Sequence, residues 1–279
     1  MEIIEQTLIP KSRTKKSEDG IVVSADFIAV IDGSTSKSQY RHSFFSSNGR
    51  YVMKLVSSYI RHMPKNTTCD AFLRGVTAYV RKHYKKSMLQ RLAEHPEDRL
   101  TCSVVVFSRL CREIWMIGDC QCLVSQLNSH FTIQDSQYFD NPKPYEAELA
   151  AMRAKEVERL INEGHTVDEL CRNDIARPVI IPRMIETMRN QNITYSVVDG
   201  FPIDRRHIRT ITLDFQPYEI VLASDGYPFL HPTLEESEAA LQHQRQCDPL
   251  NVGPHFQATK AFHPDFNSFD DRTYIRFKI

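Results

Sequence analysis

Apolar residues recur along the chain at two spacings, alternate positions and every three to four, and the places where one spacing gives way to the other divide it into five parts. Residues 20–31 are dense in Ile, Val and Ala and read as β structure that stops abruptly at Asp32-Gly33. Two helices are predicted next. In the first, Tyr51, Val52, Leu55, Val56, Tyr59 and Ile60 repeat at helical spacing as far as Pro64. The second carries Phe72, Val76, Tyr79 and Val80 on one face, with Asp70 as its N-cap and Pro96 as its far limit. Short strands follow at Cys102–Ser108, Glu113–Ile117, 120–125 and 130–133, joined by turns too tight for crossover helices, so the sheet they form is antiparallel. Residues 145–192 read as helical, with a capping box at Thr166 and Glu169 and with Pro178 and Pro182 as interruptions. β structure returns at 194–198, 208–213 and 219–223, the last running into Ser224-Asp225-Gly226. A second capping box, Thr233 and Glu236, opens a final helix, and an alternating strand, 274–279, closes the pattern. Helices segregated from antiparallel strands predict an α+β sandwich and argue against a doubly wound parallel sheet.

Composition narrows the class without naming a chemistry. With 279 residues, 41% of them hydrophobic, one domain spanning 1–279 is expected. Lys plus Arg and Asp plus Glu both number 35, so no global field favours nucleic acid or an anionic membrane, and neither is expected as a partner. No apolar run approaches the ~18 residues of a membrane span, and the first residues lack a signal-like pattern; a cytoplasmic protein is expected. The seven cysteines are irregularly spaced and are read as reduced, with Cys120 and Cys122 packing in a strand and not holding zinc. Neither a Walker phosphate loop nor a dinucleotide fingerprint is present.

The candidate chemistry lies in aspartates. Five of the nine glycines adjoin one: Asp19-Gly20, Asp32-Gly33, Gly118-Asp119, Asp199-Gly200 and Asp225-Gly226. Asp199-Gly200, between strand-like segments, is best read as a turn. Asp32 and Asp225 differ, because each ends an apolar strand with a carboxylate and has no basic neighbour in sequence. A buried carboxylate is costly unless a cation balances it, and several together call for a hard cation such as Mg²⁺ or Mn²⁺.

Six segments, taken in order, resemble the PPM family of metal-dependent Ser/Thr protein phosphatases, also called type 2C. They are Ser17-Glu18-Asp19-Gly20, the strand ending in Asp32-Gly33, Thr101-Cys102-Ser103-Val104-Val105, Ile117-Gly118-Asp119, Ala223-Ser224-Asp225-Gly226 and Asp270-Asp271-Arg272-Thr273. The resemblance covers nearly the whole chain. It implies a central β-sandwich of two antiparallel sheets flanked by helices, and hydrolysis of phosphoserine or phosphothreonine esters by a hydroxide bridging two metal ions, without a phosphoenzyme. Carried over residue by residue, Asp32 would bridge both metals, the Gly33 carbonyl would bind one, Asp225 and Asp270 would hold one, and Glu18 would hold the other through waters. Asp119 would help with a third, weaker ion. Asp271 is the alternative to Asp270 if the register shifts by one. The implied partners are a phosphoprotein substrate and its cognate kinase.

Two positions depart from the family pattern. The histidine that often follows Asp-Gly is replaced by Ser34 and Thr35, which leaves His42 as the candidate general acid. Thr14 stands where a phosphate-binding arginine is expected, which leaves Arg13, Lys15 or Lys16 to serve. Residues 140–192 form a largely helical insert, expected to act as a flap that selects substrates, so that deleting it should spare hydrolysis of a small aryl phosphate. Three other readings compete: a pseudophosphatase that binds without turnover, a phosphatase of a small phosphate ester, and a haloacid-dehalogenase enzyme. Val30 stands where the last would need its nucleophilic aspartate, which argues against it.

Overall fold

A computed structural model of the protein describes residues 1–35, 37–38, 40–128, 130 and 132–279. The described residues form ten strands: β1 (Glu2–Ile9), β2 (Gly20–Val23), β3 (Phe27–Gly33), β4 (Cys102–Ser108), β5 (Glu113–Ile117), β6 (Gln121–Leu127), β7 (Ile133–Phe139), β8 (Arg209–Thr212), β9 (Tyr218–Ala223) and β10 (Arg272–Lys278). The α-helices are α1 (Asn48–His62), α2 (Cys69–Arg81), α3 (Leu89–Glu94), α4 (Glu146–Asn162), α5 (Val167–Arg172), α6 (Arg177–Met188) and α7 (Leu234–Cys247). The strands form two five-stranded sheets, β1-β10-β9-β6-β7 and β2-β3-β4-β5-β8, with every pairing antiparallel. Among the described residues no helix is long and apolar enough to cross a membrane.

Strand periodicity explains the layers. Along β3, Ile28 and Val30 point between the sheets and meet Cys122, Ile220, Leu222, Ile275 and Phe277 from the opposite sheet. The alternate residues, Phe27, Ala29 and Ile31, face outward and pack beneath α1 and α2 with Val52, Val56, Phe72 and Val76. A strand buried on both faces has no polar side to show, which is why residues 27–31 read as an unbroken apolar run. The other sheet is covered by Tyr227, Leu230 and Leu234, and α4 to α6 gather around a smaller core of Val157, Leu160, Leu170, Cys171 and Ala176. Cys120 and Cys122 are fully buried in the inter-sheet core.

Several local expectations are corrected. The stretch 20–31 is a hairpin of two strands, since Gly20 pairs with Ile31 across the turn between them. Thr68, not Asp70, caps α2: its side chain accepts the amide of Ala71 while Asp70 lies in the first turn, and the helix ends at Arg81, far short of Pro96. Pro178 sits at the start of α6 and Pro182 lies inside it. A proline in the opening turns forfeits few helical hydrogen bonds, so neither residue breaks the helix. Residues 194–198 make only isolated bridges, and β1, which shields the edge of β10, was absent from the expected strands. The expected strand at 130–133 includes Phe131, which lies outside the described residues. The capping box at Thr166 and Glu169 is present in full.

Candidate metal centre

The two sheets deliver their carboxylates to one end of the sandwich. Asp32 is the penultimate residue of β3 and pairs with Ser103 on β4; Asp119 follows β5 by two residues, and Asp225 follows β9 by two. Carboxylate oxygens of Asp32, Asp119 and Asp225 all lie within 4.8 Å of one another. The turn that aims Asp119 requires glycine: Gly118 has φ +82°, and a Cβ there would lie 2.2 Å from Ser103 Oγ. With that space open, Ser103 Oγ donates to Asp119 Oδ1 at 2.5 Å. Gly33 permits an equally close approach, since a Cβ there would meet the carbonyl oxygens of Gly49 at 2.3 Å and of Glu18 at 2.6 Å.

Charge in this cluster is unevenly balanced. Lys143, just before α4, forms an ion pair with Asp119; burial opposes ionisation there, yet the ammonium holds the Asp119 carboxyl below its usual range. Among the described residues Asp32 and Asp225 have no ion pair. Burial, then the negative charge of Asp19 and Asp119, raises Asp32 well above the ordinary carboxylate value, and burial, then Asp32 and Asp119, does the same to Asp225. Asp19 is pushed up to about 7 by burial and by Asp271. Glu18 accepts a hydrogen bond from Thr35 Oγ1 on one carboxylate oxygen, while its buried Oε1 has no hydrogen-bond partner among the described residues.

The remaining expected site residues divide. Asp270 lines the same cavity as Asp32, Asp119 and Asp225, with its carboxylate held by Lys11 Nζ at 2.9 Å and by Lys260. Asp271 is turned elsewhere: its two oxygens accept the backbone amides of Lys11 at 2.7 Å and Glu18 at 2.8 Å, pinning the segment before β2 against the start of β10. His42 is committed to another neighbourhood. Its Nε2 bonds the carbonyl oxygen of Asp98 at 2.7 Å, its ring lies between Tyr40 and Tyr84, and burial lowers its affinity for a proton. Arg13 is exposed and is not among the described residues lining the cavity.

The cavity itself holds about 330 Å³. Its walls include Tyr145, Glu146, Leu149, Arg177 and Met184 from residues 140–192, so this largely helical segment lies beside the carboxylates. Lys143, Lys260 and Arg177 were not legible as site residues, because nothing local to them signals that packing brings them to Asp119 and Asp270.

The chemistry of the donor set suits a hard divalent cation. Three carboxylates converge, Lys143 offsets the charge of two of them less than burial and their like-charged neighbours oppose it, and a buried carboxylate oxygen of Glu18 is left over.

No protein-family model matches the chain, and no curated protein matches it. Solved structures are similar in fold. The catalytic domain of the serine threonine protein phosphatase PstP in complex with two manganese ions aligns with 11% identity and a TM-score of 0.47 over 100% of both chains. The serine/threonine phosphatase Stp1 from Staphylococcus aureus aligns with 14% identity and a TM-score of 0.46 over 100% of this chain and 97% of its own. The PPM Ser-Thr phosphatase MsPP from Mycobacterium smegmatis, in complex with cacodylate, gives 14% identity and a TM-score of 0.44 over 99% and 98%. Identities and scores this low leave the assignment of fold to the sheet order and register described above. Two antiparallel five-stranded sheets flanked by helices are the architecture that the resemblance to the PPM family implies.

Proposed function

We propose that this chain is a metal-dependent phosphatase that hydrolyses phosphoserine and phosphothreonine esters of a protein partner, itself the target of a cognate kinase. The observation that carries this reading is the convergence of Asp32, Asp119 and Asp225 at the wall of a cavity, from three strand ends that two different sheets supply. Asp32 and Asp225 would hold Mg²⁺ or Mn²⁺, with Glu18, the Gly33 carbonyl and Asp270 completing the set and Asp119 serving a weaker ion. Bound there, such cations lower the pKa of water and neutralise charge that builds on phosphoryl oxygens.

The chain's own residues do the rest. Ser103 and Lys143 keep Asp119 ionised and oriented. Thr35 fixes one oxygen of Glu18 and leaves the other free. Leu149, Met184 and Tyr195 give the cavity wall an apolar part, and charge interactions strengthen wherever such a wall displaces water. His42 is engaged by the Asp98 carbonyl, so a departing alkoxide would take its proton from water or from a lining group.

A second reading, a module that binds without turnover, is favoured by one observation: Asp119 and Asp270 already have ammonium partners. The test is hydrolysis of p-nitrophenyl phosphate and a phosphothreonine peptide with Mg²⁺, with Mn²⁺ and with chelator, alongside calorimetric titration of each metal. Turnover that appears with metal and stops with chelator supports the phosphatase. Metal binding absent together with no turnover on either substrate supports the binding module; turnover of the small ester alone moves the substrate from protein to small molecule.

A further inference from the structure

The cavity is lined by cations as well as by carboxylates. Lys37 in the loop after β3, Arg177 at the first position of α6 and Lys260 in the segment before β10 all line it. Lys11, beyond the end of β1, joins them by sharing the carboxylate of Asp270 with Lys260. Arg177 donates its Nη1 to the carbonyl of Thr259, and Lys37 donates its Nζ to the carbonyl of Thr35 at 3.0 Å. Neither has an ion pair with a carboxylate among the described residues. The crowding is felt by the groups themselves. Burial first, and then Arg177 and Lys11, push the Lys37 ammonium down to about 7. Four cations this close, with Asp270 as the carboxylate two of them share, form a site that an anion stabilises.

We propose that Arg177 and Lys37, with Lys260 beside them, bind the phosphoryl oxygens of the substrate on the wall next to the carboxylates. The guanidinium presents two parallel donors to a tetrahedral oxyanion, and the two ammonium groups add point charges. This assignment moves phosphate binding from the exposed basic run at residues 13–16 to the insert and to the loop after β3. It rests on the phosphatase reading for the identity of the anion, while the anion site itself stands on the arrangement of the cations.

A consequence separates it from the expectation that the insert only selects substrates. Arg177 belongs to the insert, so a small aryl phosphate with no protein surface must depend on it as much as a phosphopeptide does.

The experiment uses the full chain with Mg²⁺, titrated calorimetrically with inorganic phosphate, and steady-state hydrolysis of p-nitrophenyl phosphate and a phosphothreonine peptide. Arg177→Ala is expected to weaken phosphate binding and raise KM about tenfold for both substrates, the loss appropriate to one charge-assisted pair. Arg177→Lys should recover part of that loss. Lys37→Ala, in a loop where truncation spares the core, should show a smaller effect in the same direction, with the melting temperature of each variant as the control for folding. Phosphate affinity unchanged in both Arg177→Ala and Lys37→Ala overturns the proposal, as does a wild type that binds no phosphate. Wild-type turnover with unaltered KM in both variants leaves the phosphatase standing and removes this site. Phosphate binding that the variants weaken, in a chain that turns over nothing, keeps the anion site and removes the phosphatase.

Discussion

At the scale of single residues, the centre is a balance between carboxylates that have a cation and carboxylates that do not. Asp119 has Lys143, and Asp32 and Asp225 have each other. A carboxyl whose proton affinity rises on folding contributes its stabilisation in full below its unfolded value and loses it as pH rises through the folded value. For Asp19 that window runs from 3.8 to about 7, and Asp32 and Asp225 shift in the same direction. The metal-free protein is therefore expected to lose stability between pH 4 and 7, and Mg²⁺ is expected to flatten that decline. Asp32→Asn removes one repelling charge. In the absence of metal at pH 7 it should melt higher than wild type, by about 2–4 °C for each kcal/mol relieved, while the upward shift that Mg²⁺ gives the wild type disappears. Thermal melts with and without metal across that pH range check both halves; a metal-free variant that melts lower than wild type would show that Asp32 carries no net repulsion. Asp32 and Asp225 were legible in the sequence because an apolar strand ending in a carboxylate is a local signal. Asp199 was legible only in part. The turn is there, with Gly200 at φ +81°, but the carboxylate is fully buried and bonded to Asn192 at 2.9 Å and to Arg99 at 2.9 Å, the latter a partner 100 positions away that no sequence window contains.

At the scale of elements, legibility followed the number of faces buried. β4, buried along its whole length, and β5, buried in all but its first residue, were bounded correctly, and α1 was found by its stripe. β1 was missed, since it is an edge strand whose side chains alternate between exposed and half-buried and so offer no apolar run. The N-cap of α2 was misplaced by two residues because Thr68 and Asp70 are both good capping types, and only geometry decides between them. The turn after β5 shows how an element aims a functional group. Gly118→Ala would force a side chain into left-handed backbone and against Ser103, which itself orients Asp119. A loss of about 1–3 kcal/mol in urea unfolding is expected, with weaker Mg²⁺ binding by calorimetry. Unchanged stability would mean that the turn relaxes without strain. A loss of stability with unchanged metal affinity would detach Asp119 from the cation site.

At the scale of the whole molecule, the sandwich supplies carboxylates from its strand ends, and residues 140–192 supply two of the opposing cations, Lys143 and Arg177, so the full site exists only while the two are docked. Arg153 on α4 is a principal tie. It is fully buried, donating Nε to Asp174 Oδ2 at 2.9 Å and Nη1 to the carbonyls of Leu250 at 2.7 Å and Ala258 at 3.2 Å. Asp174 in turn accepts the amide of Ala261 at 3.1 Å, next to Lys260. One guanidinium thus joins the insert that carries Arg177 to the segment that carries Lys260. Its partners lie as many as 105 positions away, which is why the insert could be recognised as helical from sequence while its docking could not. Arg153→Met keeps much of the volume and removes every donor, leaving two carbonyls unsatisfied and the Asp174 charge without its guanidinium, at a cost of about 3–5 kcal/mol. If the insert docks as a unit, amide exchange should accelerate across 146–188 and 250–261 while the amides of β3, β4 and β9 keep their protection. KM for p-nitrophenyl phosphate should then rise as it does in Arg177→Ala, even though Arg153 does not line the cavity. Exchange that accelerates evenly through the sandwich would instead make Arg153 a support of the whole core, and the coupling of insert to cation site would fall.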